Sequence, residues 1–246
     1  MSFWDHLDEL RGVLFHSVIA LFVSFTVLFF FKDFVFGVVV LGPTRPDFWL
    51  YSLLGFQVPP FELINIEIAA QFFIHIKVTF FAAIVVTFPY LCYQIWSFIS
   101  PALYQNEKKT IRRAFGLGAG LFYLGVAVGY FIVMPVVLIF FQGYQVSPEV
   151  TNTFSLTSYI SMFSAMVFMM GLLFEFPSVL AVLSHFGIID RQMMKGFRRY
   201  AIVVILILAA ILTPTGDPFT LLVVSCPLYL LYEFSILICK SDTSEE

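Results

Sequence analysis

Charge is what this 246-residue chain has least of: 12% of its residues are Asp, Glu, Lys or Arg, against 60% hydrophobic and 19% aromatic. A soluble globular domain carries roughly 25% charge, so the chain lacks the polar surface that would cover it in water. Cysteine is also sparse. Cys92, Cys226 and Cys239 fall in or beside apolar runs without metal-ligand spacing, which argues against a metal centre and against an extracytoplasmic disulfide framework. His16, His75 and His185 are scattered and form no ligand cluster. There is no phosphate-binding glycine loop, no His-Glu-x-x-His helix, no nucleophile elbow and no intramembrane-protease motif. An enzyme is therefore not expected, nor is a cofactor, a metal or a nucleic-acid partner. No fixed-period repeat is visible, and 1–246 reads as a single domain.

What the chain has in abundance is long apolar runs. They lie at about 12–31, 77–99, 114–141, 158–183, 199–213 and 218–238, and most approach the length needed to cross a hydrocarbon core of about 30 Å. The expected class is an all-α integral membrane protein. The first run is not read as a cleavable leader, because Met1–Arg11 is acidic and the run extends to Phe29-Phe30-Phe31. Between the first two spans lies the outer loop 32–76, broken by Gly42, Pro43, Pro46, Pro59 and Pro60; helical spacing over Glu62–Ile74 predicts an interfacial helix there. The fifth run is short. Tyr200–Leu212 spans about 20 Å at 1.5 Å per residue, so it either packs as a hairpin against the other helices or thins the bilayer locally.

Basic residues fix the expected orientation. Arg11, Lys108, Lys109, Arg112, Arg113, Arg191, Lys195, Arg198, Arg199 and Lys240 fall on one side, Lys32 and Arg45 on the other, with Lys77 at a boundary. By the positive-inside rule both termini are cytoplasmic.

Three acidic positions stand out. Glu175, in Gly171-Leu-Leu-Phe-Glu-Phe-Pro177, lies inside an apolar span, where a charge costs about 2.5–3.5 kcal/mol on insertion scales. Its carboxyl must face a wet cavity, find a partner or stay protonated, and Pro177 can kink the helix beside it. Asp5-His6-Leu7-Asp8-Glu9-Leu10-Arg11 precedes the first span, with Asp5 and Glu9 four apart on one helix face; it also reads as an ordinary solvated helix start. Glu107 is one acid among four basic residues in the loop after Trp96 and Phe98. Asp217 reads most simply as a turn residue or helix cap, and Glu233 as a carboxylate near the inner interface.

His6-Leu-Asp-Glu-Leu-Arg11, Tyr93-Gln-Ile-Trp-Ser-Phe-Ile-Ser-Pro-Ala-Leu-Tyr-Gln-Asn-Glu107, Phe174-Glu-Phe-Pro177 and Leu212-Thr-Pro-Thr-Gly-Asp-Pro218 resemble, in order, the motifs of the TatC family. That family is the receptor subunit of the twin-arginine protein translocase. The resemblance implies six transmembrane helices in a concave, glove-like arrangement in a prokaryotic plasma membrane. It implies binding of twin-arginine signal peptides of folded cargo at the cytoplasmic face. It also implies assembly with TatA and TatB-type single-span proteins in an oligomeric complex driven by the proton-motive force. By motif position, Glu9 and Glu107 match the signal-binding acids, and Phe98, Leu103 and Tyr104 fall in the same recognition loop. Glu175 matches the intramembrane polar residue of the concave face, and Asp217 the outer-turn acid. The competing reading of the residues alone is a proton-coupled small-molecule transporter using Glu175 as relay, although the inverted repeats such proteins often carry are not visible.

Overall fold

A computed structural model describes residues 3–55, 61–102, 105–150, 152–213 and 216–239; at 3–5, 54, 102, 105–107 and 110 only the backbone is described. The apolar runs become helices because no water is available inside a bilayer to satisfy backbone N–H and C=O groups, which must bond within the segment. Helix α1 (Phe3–Phe30) is followed by α2 (Lys32–Phe34), a π-helical stretch Val35–Val40, a 3-10 turn Gly42–Thr44 and α3 (Trp49–Leu54). Strand β1 (Leu63–Ile64) precedes α4 (Ala70–Ile99), and a 3-10 turn at Ser100–Ala102 leads towards α5 (Gln105–Val128). A π-helical turn, Gly129–Val133, joins α5 to α6 (Met134–Gly143). Strand β2 (Phe154–Ser155) opens α7 (Leu156–Leu173), followed by α8 (Phe176–His185), α9 (Arg191–Gly196), α10 (Arg198–Leu212) and α11 (Pro218–Ile238).

Among the described residues, five helical segments are long and apolar enough to cross a membrane: His6–Phe30, Ala70–Ile99, Ile111–Gly143, Leu156–His185 and Pro218–Ile238. The fifth apolar run is α10, whose 15 residues reach about 22 Å. It pairs with α11, and Ala209 is its buried residue.

The outer loop departs from expectation. In place of an interfacial helix over 62–74, Leu63 and Ile64 pair in parallel with Phe154 and Ser155, and the helix that follows begins only at Ala70. The apolar spacing of Ala70–Ile74 was that of the spanning helix itself, which starts earlier than the hydropathy alone suggests. The loop is instead shaped by Tyr51, fully buried, whose hydroxyl donates to the Pro43 carbonyl at 2.6 Å. Burial pushes that phenol above its usual range and keeps it a neutral donor. Tyr130 donates to Val39 O, and Tyr159 to Val40 O, fastening the same loop to the helices.

The core lies between α5–α6 and α7. Gly125 and Gly129 present one bare strip of helix, and a Cβ on Gly125 would lie 2.5 Å from the Met170 carbonyl oxygen and 2.7 Å from the Phe174 Cβ. With no hydrophobic force between helices in lipid, such close backbone approach is what makes them associate. Gly171 reciprocates from α7 against Phe122 and Val126. Helix α1 packs on α4 and is otherwise peripheral, exposing Phe15, Phe22 and Phe30.

A cleft of about 490 Å³ gives the bundle its concavity. It opens between the Val35–Val40 segment, α4, the middle of the third span and α7, with Tyr123 and Ser164 among its lining.

Candidate functional site

Helix alternation brings the basic loops to one end of the bundle. There the start of α1 meets the finish of α4: the His6 ring stacks on Phe98 with centroids 4.3 Å apart and planes 21° from parallel. Glu9 stands three residues after His6, on the same side of the helix. Its Oε2 is buried and accepts no hydrogen bond from the described residues. Phe98 is half-buried at the last turn of α4, just ahead of the turn Ser100–Ala102. Glu107 belongs to the first turn of α5, with its side chain outside the described set, and Leu103 and Tyr104 lie outside the described residues. The structure therefore joins His6 to Phe98, puts Glu9 on the same side of α1 as His6, and places the backbone of Glu107 on the helix that follows.

Glu175 occupies a different level. Phe174 and Glu175 form a turn between α7 and α8, with Pro177 in the first turn of α8, so the span is broken where the proline removes a backbone donor. The carboxyl faces α5: a Cβ on Gly118 would come within 2.5 Å of Glu175 Oε2 and 2.8 Å of Ser178 Oγ. Ser178 is buried and donates to the Ala114 carbonyl at 3.0 Å. Glu175 itself is half-buried, and its Oε1 has no hydrogen-bond partner among the described residues. Ser178 was not singled out from sequence. The available signal was a hydroxyl one helical turn after an intramembrane acid, a spacing that puts both on one face.

At the opposite end, Asp217 caps α11, its Oδ1 accepting from Thr220 N at 2.7 Å, after Gly216 has turned the chain with φ +60°. This is the cap that the sequence allowed. Glu233 forms an ion pair with Arg198 at 2.6 Å and accepts from the Tyr229 hydroxyl at 3.2 Å. Both groups of the pair are partly exposed, so the bridge orients α10 against α11 more than it stabilises them. Among the described residues no group of three or more His, Cys, Asp or Glu could hold a metal ion.

Comparison with known proteins bears on the family and the fold. A TatC protein from Blattabacterium sp. subsp. Periplaneta americana (strain BPLAN) is 36% identical, over 97% of this chain and 94% of its own length. One from Aquifex aeolicus (strain VF5) is 34% identical, over 100% and 98%. Both are described as Sec-independent protein translocase protein TatC. A crystal structure of the twin-arginine translocase receptor TatC in DDM superposes with a TM-score of 0.79 at 34% identity, covering 96% of this chain and 99% of that one. The family model for the Sec-independent protein translocase protein TatC matches residues 5–227, nearly the whole of what the membrane-spanning helices comprise, and the chain belongs to the TatC family.

Proposed function

We propose that this protein is the receptor subunit of a twin-arginine translocation system. It binds the paired arginines of signal peptides at the basic end of the bundle. The reading rests on family membership, and one geometric observation carries its location: the His6–Phe98 stack draws Glu9 beside the segment that leads to Glu107. Two carboxylates on separate helices suit two arginines. Each guanidinium is a rigid fork of donors that a carboxylate accepts in pairs, which lysine cannot copy. Hydrogen bonds to charged groups contribute about 1.5–3 kcal/mol each, enough to favour Arg-Arg over Lys-Lys. Phe98 offers apolar surface to the residues flanking the arginines, and Leu103 and Tyr104, outside the described residues, belong to the same loop motif in sequence.

The role is binding and assembly rather than catalysis. Single-span TatA and TatB-type subunits are the partners, in an oligomeric complex of a prokaryotic plasma membrane with both termini cytoplasmic, and the proton-motive force drives export. Glu175, seated over Gly118 beside Ser178, is the polar patch offered to a partner's transmembrane helix.

Photo-crosslinking of a twin-arginine signal peptide to the membrane-embedded protein tests the reading. Glu9→Ala and Glu107→Ala should each lower crosslinking several-fold, while insertion and protein level stay unchanged. Undiminished crosslinking in both variants would refute the assignment of the site.

A further inference from the structure

Ser178 stands between two acceptors. Its Oγ lies 3.0 Å from the Ala114 carbonyl oxygen of α5, in hydrogen-bonding geometry, and the same hydroxyl shares a hydrogen bond with the Glu175 carboxyl. That second bond runs through Oε2, because Oε1 has no partner among the described residues. Gly118 makes the room: Oε2 and Ser178 Oγ both fall within 2.8 Å of the point that a Cβ there would occupy.

A hydroxyl has one proton to give and lone pairs to accept. If the Ser178 proton goes to Ala114, the proton shared with Glu175 belongs to the carboxyl. If it goes to a carboxylate, a net charge is left inside an apolar span with Oε1 buried and unbonded. Nothing nearby would offset that charge. Among the described residues no charged side chain lies against Glu175, and the ionisable group within electrostatic reach is the Cys92 thiol of α4. An unpaired charge at membrane depth is costly, whereas the neutral arrangement gives each of the two hydroxyl protons an acceptor. We propose that Ser178 is a positioning residue that holds Glu175 as a neutral acid, its Oε2 hydroxyl donating to Ser178 Oγ and Ser178 donating to the Ala114 carbonyl. This chain of bonds makes Oε1 a bare carbonyl acceptor. On the reading of Glu175 as a partner contact, on which this step rests, the complement is a transmembrane helix carrying a neutral hydrogen-bond donor, an amide or a hydroxyl, at the same depth. A cationic side chain would call for a carboxylate instead. Glutamine at 175 reproduces the neutral acid, its nitrogen donating to Ser178 and its oxygen remaining an acceptor.

Infrared spectroscopy of the full chain in liposomes tests the protonation, and export of a folded cargo tests its use. At neutral pH the native spectrum should hold a protonated-carboxyl carbonyl band that Glu175→Gln removes. Ser178→Val should move that band to higher frequency or abolish it, while Ser178→Thr, close in volume to valine but retaining the hydroxyl, should keep it in place. Export should fall several-fold in Ser178→Val and stay near the native level in Ser178→Thr, at equal protein level. Where the branched variants elute aggregated on gel filtration, Ser178→Ala against the native serine gives the same comparison. Absence of a Glu175 band, or a band indifferent to loss of the hydroxyl, overturns the proposal. So does native export by Ser178→Val where Glu175→Leu is inactive. Native export by Glu175→Leu would instead end the partner-contact reading and the donor helix with it, a failure that the infrared band, measured without partner or cargo, does not share.

Discussion

Glu175 and Gly118 fit together as a pair: the carboxyl occupies the space that any side chain at 118 would need, with Oε2 2.5 Å from where a Cβ would stand. A single missing methyl on α5 thus determines where an acid on the α7–α8 break can reside. Gly118→Ala should displace the carboxyl and lower export of a folded cargo, even though alanine is the better helix former. Wild-type export by this variant, at equal protein level, would show that the carboxyl position does not matter.

The acid itself separates three roles. If Glu175 offers a polar contact to a partner helix, Glu175→Gln should retain much of the export activity and Glu175→Leu little. Gln keeps hydrogen-bonding capacity, whereas Leu only relieves a desolvation cost. A proton relay would make both variants inactive. An acid without a role would leave Leu active, and that outcome would end the partner-contact reading.

Packing along the third span is expected to be intolerant. Gly125→Leu would drive a side chain into Met170 O and Phe174. Overpacking of this kind costs about 1–3 kcal/mol even where a core can relax. Thermal unfolding in detergent, followed by circular dichroism, should show a clear drop in midpoint. Gly116→Leu, where a Cβ meets nothing within 4 Å, should show much less.

Orientation is accessible to labelling. Single cysteines in place of Lys108 and Arg198 should resist a membrane-impermeant maleimide in intact cells, while one in place of Arg45 should react. Labelling at Lys108 from outside would reverse the assigned topology.

Asp217→Ala removes a cap from α11, and the loss of such a cap typically costs about 1 kcal/mol. Asp217→Asn, which can still accept from Thr220 N, should recover most of the stability in the same unfolding measurement. If Asn proves as damaging as Ala, the charge rather than the cap matters.

Much of this was legible in the sequence because membrane helices are written in one dimension. Runs such as Ile111–Gly143 need only length and apolarity, and basic loops mark their ends. Even the break at Phe174–Glu175 was signalled, by Pro177. The stack of His6 on Phe98 was not, because it depends on how two distant helices pack. Nor was the pairing of Leu63–Ile64 with Phe154–Ser155, since two-residue strands carry no period to detect and their register comes from the helices that bring them together. The bare face of Gly118, Gly125 and Gly129 was visible as composition. Only the partner helix reveals that the first makes room for an acid while the others bring backbones into contact.

The β1–β2 ladder ties the entrance of α4 to that of α7, segments some 90 positions apart along the chain. Close by, Tyr51, Tyr130 and Tyr159 bolt the connecting loop to backbone carbonyls, and Asn152 donates to three more, at Phe141, Gln142 and Tyr144. Among the described residues no such ladder joins the far end, where α1 lies on α4 with the His6 ring flat against Phe98. Mechanically the bundle is a pair of tongs: the fulcrum sits at the cross-linked end, and any splaying of α1 from its neighbours grows along the full length of the lever to become widest at Glu9.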